Sequence, residues 1–168
     1  MIIRPFPLLW VVALLGCQDS AGPSLPPDGT GFTVVGGGNN VPERFSSDLW
    51  IHGSHAYTGT WGDRNGNIGN VLKVWSLDAA GAPVLISSVT VPGIGTVSDL
   101  QVSEDGQLLV LSGERGAEGG IFVYGLSNPA QPSALGSALV GPAGIHTVTL
   151  SAIGGRLYAF AARNPSRS

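Results

Sequence analysis

The chain has 168 residues and a formal net charge of −3, and only 11% of it is charged, well below the roughly 25% usual for soluble domains. Eight Lys and Arg give no basic field, which excludes nucleic acid as a partner, and the apolar content excludes disorder driven by charge. Glycine (26) and proline (12) make up more than a fifth of the chain, so the composition points to many short strands joined by turns.

Arg4 opens the chain's one basic apolar leader, and LLWVVALL, Leu8 to Leu15, supplies its core. A spanning helix needs about 20 apolar residues, so this run has the length of a signal-peptide core instead. Leu14-Leu15-Gly16-Cys17 resembles the lipobox of bacterial lipoproteins, in which a small residue precedes a cysteine that is lipidated and becomes the new N-terminus. Cys17 is the single cysteine of the chain, and an unpaired cysteine behind a secretory leader asks for such an explanation. The resemblance implies a signal peptide over residues 1–16 and a membrane anchor at Cys17, with acyl chains holding the protein at the bacterial cell envelope. Gln18 is not the aspartate that retains enterobacterial lipoproteins at the inner membrane, which favours the outer membrane.

Residues 17–31 include QDSAGPSLPPDGTG, with almost nothing to bury, and read as a flexible tether. Phe32 to Val35 is an apolar run closed by Gly36-Gly37-Gly38-Asn39-Asn40, which predicts a strand and a turn. Beyond it the chain repeats itself. SDLWIHGSHAYTGT from Ser47, SDLQVSEDGQLLVLS from Ser98 and HTVTLSAIGGRLYAFA from His146 each read as strand, polar turn, strand. VLKVWSLDAAGAPVLISS from Val71 aligns with GIFVYGLSNPAQPSALGS from Gly120, matching Trp75 with Tyr124, Leu77 with Leu126 and Pro83 with Pro132. The offsets are 51, 48 and 49 residues.

A period near 50 holding four short strands predicts a β-propeller blade; a β-sandwich would not repeat its sequence at that spacing. The expected fold is therefore all-β: a partial β-propeller of about two and a half four-stranded blades over residues 32–168, with units starting near 47, 98 and 146. Propellers close with roughly 4 to 8 blades. The chain is thus expected to be a fragment of a longer propeller, or else to self-associate, since an incomplete array leaves sheet faces and edges exposed. A non-functional truncated frame is a further alternative.

These blades resemble LVIVD-repeat proteins, bacterial extracytoplasmic β-propellers. The resemblance rests on Asp48-Leu49-Trp50-Ile51 with Ala56-Tyr57-Thr58-Gly59, and above all on Gly119 to Pro132, whose Leu126-Ser127-Asn128-Pro129-Ala130-Gln131-Pro132 is close to the family's blade-closing turn. It covers about Ser46 to Ala162, with Ala79 to Pro83 departing from the expected Asp-Pro-x-x-P. It implies a surface or periplasmic scaffold and supplies neither a reaction nor a catalytic residue.

Asp48 and Asp99 recur at the head of their units, and His146 stands one residue before the matching position. In a propeller the first strand lines the channel, so these three could ring one end of it and bind a cation or polar ligand. The competing reading has each Asp accept backbone N–H bonds and pin the blade junction, and it is preferred. His52 and His55 are not repeated and read as hairpin-turn residues. Asp48 and His52 stand about 13 Å apart along a strand, too far to share a metal. Asp63 to Asn67 alternates oxygen donors but lacks the glycine and glutamate of a calcium loop. Trp61, beside Gly62-Asp63, is the aromatic best placed to touch a partner.

No nucleophile elbow, His-Glu-x-x-His or cysteine pair is present, so no cofactor is expected and no enzyme class is assigned. The expected function is a lipid-anchored binding or interaction scaffold for a protein or carbohydrate. The alternative is an ion-binding or hydrolytic propeller using Asp48, Asp99 and His146.

Overall fold

The computed structural model describes residues 45–62, 67–77 and 82–164. The chain divides into two units, Met1–Val34 and Val35–Ser168, and every described residue lies in the second. The predicted leader, Cys17, the tether, the Phe32–Val35 strand and Asp63–Gly66 all fall outside the described residues.

The described residues form ten strands and no helix. β1 (Phe45–His52), β2 (His55–Trp61), β3 (Val71–Ser76) and β4 (Val84–Thr90) make one four-stranded antiparallel meander. β5 (Thr96–Val102), β6 (Leu108–Glu114), β7 (Gly120–Gly125) and β8 (Ser133–Leu139) make a second of the same order. β9 (Thr147–Ile153) and β10 (Arg156–Ala162) form a hairpin. The all-β class expected from the composition is what the chain adopts.

The repeat extends to the irregularities. The register slips between Ser46 and Leu49 in β1 and between Val97 and Asp99 in β5. It slips again between Val74 and Trp75 in β3 and between Val123 and Tyr124 in β7, at matched positions. Each bulge adds twist and re-aims the residues beside it. At the turns, Gly154 and Gly155 both have positive φ, 58° and 75°, as a tight two-residue hairpin with native strand twist requires.

One core joins the two meanders. From the first sheet come Tyr57, Leu72 and Val74; from the second come Leu100, Val102, Leu109, Leu111, Phe122 and Tyr124. Strand alternation explains the choice: Leu100 faces Leu111 and Phe122 across the ladders, while Val102 faces Leu109 and Tyr124. The first strands stand side by side, β1 against β5 and β5 against β9. Where the β2–β3 ladder ends at Thr58, the Thr60 hydroxyl takes over, donating to Val71 O and accepting from Val71 N at 2.9 Å each.

Candidate functional site

The repeated Ser-Asp-Leu acquires a physical meaning at the sheet junctions. Asp48 Oδ2 accepts the Leu100 amide N–H of the next sheet at 3.0 Å, and Asp99 Oδ2 accepts the Val148 N–H of the hairpin at 2.8 Å. Asp99 Oδ1 accepts the Leu100 N–H as well, at 2.9 Å. The serines differ: Ser47 Oγ donates to Val97 O across the junction at 2.5 Å, whereas Ser98 Oγ donates within its own sheet, to Glu114 Oε2 at 2.6 Å. The register shifts in β1 and β5 fall at these residues: Ser47 and Asp48 have no partner in the β1 ladder and Ser98 has none in the β5 ladder, while Asp99 pairs with Ser112.

Burial pushes the Asp99 carboxyl above its ordinary pKa, and a hydrogen bond and like charge from Asp48 push it further; the amides of Val148 and Leu100 pull the other way. Asp48 and Asp99 are thus brought together, with Asp48 Oδ2 and both Asp99 oxygens accepting backbone N–H groups. His146 does not join them.

His146 belongs to a second cluster, at the strand ends away from the hairpin turns. Its backbone is fixed from both sides, the N–H donating to Ala162 O at 2.8 Å and the carbonyl accepting from Ser112 Oγ at 3.1 Å. Its Nδ1 lies 3.0 Å from Glu114 Oε2. The Glu114 side chain is 8% exposed and the imidazole 36%, so a buried carboxylate orients a half-exposed ring. Asn164 Nδ2 donates to the other Glu114 oxygen at 3.4 Å. Nε2 of His146 has no hydrogen bond among the described residues, leaving it the nitrogen open to a ligand or a proton.

Trp61 meets His146 edge to face, with centroids 6.3 Å apart at 85°. The Arg115 guanidinium stands 5.8 Å from the Trp61 ring, within cation–π range. Arg115 has φ of +58°, the one non-glycine residue with positive φ among those described, and such backbones cost about 1–2 kcal/mol and cluster at binding sites. Trp61 is held by its neighbours: Gly62 N–H donates to Thr96 Oγ1 at 3.1 Å, and a Cβ on Gly69 would strike the Trp61–Gly62 peptide.

Of the residues expected from sequence, the structure joins Asp48 with Asp99 and Trp61 with His146. Sequence reasoning missed Glu114 and Arg115. Glu114 sits on β6 at the register position that Trp61 holds on β2, since both face the first residue of the preceding strand, but an unlike residue at a repeat position carries no signal. His52 sits at its hairpin turn with its imidazole against Gly106 of the β5–β6 turn. His55 reaches only its neighbour Ser54, at 3.4 Å.

A hollow of about 290 Å³ lies at the opposite, hairpin-turn end, lined by Gln101, Asp105, Leu150 and Arg156 among others, and it includes none of the candidate residues. Among the described residues, no three His, Cys, Asp or Glu side chains are grouped to hold a metal ion. Compared with known proteins, the sequence matches no family model and no curated relative.

Proposed function

We propose that the chain is a cell-envelope lipoprotein, anchored through Cys17, whose LVIVD-like β-propeller repeats serve as a binding scaffold rather than as a catalyst. The observation that carries this reading is the repeated junction, Asp48 to Leu100 N–H and then Asp99 to Val148 N–H. The same bond at the same repeat position gives successive sheets a constant relationship about their first strands, which is how blades of a ring succeed one another. Backbone N–H groups also take up both oxygens of Asp99 and one of Asp48, the acids that an ion-binding or hydrolytic channel would need.

The contact face in this reading is the strand end bearing Trp61, His146 and Arg115. An indole, an oriented imidazole and a guanidinium together suit a carbohydrate or a peptide carrying an acceptor group. Two measurements test the proposal. Palmitate labelling and membrane fractionation should be lost in Cys17→Ser; label persisting there would overturn the anchor. Binding of the purified chain to an array of envelope glycans and peptides should fall at least tenfold in Trp61→Ala and in His146→Ala. Unchanged binding in both variants, or binding to nothing on the array, would remove this face from the reading.

A further inference from the structure

The outer face of the first sheet carries an apolar groove of about 220 Å³, lined by Leu49, Ile51, Ala56, Thr58, Trp75, Leu77 and Pro83. The indole N–H of its lining is taken up, since Trp75 Nε1 donates to Thr58 Oγ1 at 3.0 Å. The junction bonds fix how the sheets correspond: Leu49, Leu100 and Val148 occupy one position in three units. Carried along the ladders, the groove residues Leu49, Ile51, Ala56 and Trp75 correspond to Leu100, Val102, Leu109 and Tyr124.

Those four residues of the second sheet are the ones it buries against the first. Leu100 is 0% and Val102 3% exposed, whereas Leu49 is 53% and Ile51 58% exposed. The groove is therefore the same interface, continued one sheet further and left uncovered by the described residues. The built interface also says what covers such a face. Tyr57 of the first sheet enters it, 0% exposed, and its hydroxyl donates to Pro129 O at 3.0 Å. In register, Trp50 pairs with Tyr57 and Thr149 pairs with Phe160, so Phe160 holds Tyr57's position on the hairpin. It is 54% exposed, beside Tyr158, and its ring requires no acceptor.

We propose that the Leu49–Ile51–Trp75 groove receives Phe160 from the hairpin of a second copy, so that copies associate head to tail by repeating the contact already made between the two sheets. The inference rests on the repeated-sheet reading above and extends it by naming the partner and both contact surfaces. A heterologous contact of this kind can continue until a ring closes, and a contiguous exposed apolar face favours burial.

Sedimentation velocity of the purified full chain over a wide concentration range tests it. The wild-type chain is expected to form species larger than one chain as concentration rises. Ile51→Asp blocks the groove and Phe160→Asp blocks the insert, and each variant alone is expected to sediment as a monomer. Mixed in equal amounts they should recover a species of two chains, because Phe160→Asp keeps the groove and Ile51→Asp keeps Phe160. Leu49→Asp serves as a second groove variant, and melting curves verify that each variant folds, as exposed positions allow. A wild-type monomer at every concentration, a single variant that still associates, or a mixture that stays monomeric overturns the proposal. A cooperatively folded monomer would do so while leaving the scaffold reading standing, whereas a chain without β structure would end both.

Discussion

Asp48 and Asp99, the leading acids of successive sheets, both accept a hydrogen bond from one backbone donor, the Leu100 N–H, at 3.0 and 2.9 Å. The amide lies within β5, so the two carboxylates tie the first strand of the second sheet to the first sheet. Asp99 then passes the arrangement on, its other oxygen holding the Val148 N–H at 2.8 Å. Gln101 Oε1 supports the same strand by accepting from Leu150 N–H at 2.7 Å. Side-chain acceptors thus do between sheets what carbonyls do within them.

Removing Asp99 should detach the hairpin before it disturbs the meanders. Asp99→Ala leaves a largely buried amide at Val148 without its acceptor, which costs about 1–3 kcal/mol. Asp99→Asn retains an acceptor oxygen and should cost less. Amide hydrogen exchange is the sensitive measure: Val148 should exchange faster in Asp99→Ala while Leu111 keeps its protection. Equal acceleration at both would mean that the acid supports the whole fold, not one junction.

The same pair gives stability a pH dependence whose sign is fixed by the upward shift of Asp99. Its folded pKa exceeds its unfolded one, so the folded chain holds the proton more readily. The pair therefore favours folding most at pH below the ordinary aspartate range, and this contribution is lost as pH rises through the raised pKa. Asp105 acts in the opposite sense, its carboxyl lowered first by the Ser103 hydroxyl, but it is common to both chains being compared. Asp48→Asn keeps an acceptor and removes the like charge, so urea midpoints of wild type and variant should converge in acid and separate in the variant's favour toward neutrality. A constant difference across pH would show that the two carboxyls do not interact.

The all-β class and the strands were legible because they rest on alternation and turn chemistry, which are local. The role of Asp48 was legible too, because Ser-Asp-Leu recurs and a junction must recur with it. Glu114 and Arg115 were not. Glu114 ends β6 at the position held by Trp61 in the sheet before, and Arg115 follows it; Glu114 meets His146, 32 residues away in the chain, and Arg115 meets Trp61. Nothing periodic links those residues; only the stacking of one sheet on the next brings them together.

Thr60 provides a test of local design. Its hydroxyl both donates to and accepts from Val71, at 2.9 Å each way, and it is fully buried. Thr60→Val preserves shape but leaves a buried N–H and C=O without partners, which costs roughly 1–3 kcal/mol for each unmet group. Chemical denaturation should show a midpoint loss well beyond that of Thr58→Val. A loss no greater than at Thr58 would mean that water replaces the hydroxyl.

Glu114 is expected to set the state of His146. With the carboxylate on Nδ1, a neutral imidazole keeps its proton on Nδ1 and presents Nε2 as a lone pair. Glu114→Ala removes that acceptor and leaves the Ser98 hydroxyl, now bonded at 2.6 Å, without one. Loss of a buried charged acceptor costs about 1.5–3 kcal/mol. Stability alone would not separate a structural carboxylate from an orienting one, so the decisive readout is the tautomer, seen by NMR of the ring nitrogens. The wild-type chain should show the Nδ1–H form and Glu114→Ala a shift to Nε2–H, with Glu114→Gln, which retains an acceptor oxygen, close to wild type. Should all three chains share one tautomer, the carboxylate fills space beside His146 without directing it, and the strand end would lose its one oriented base.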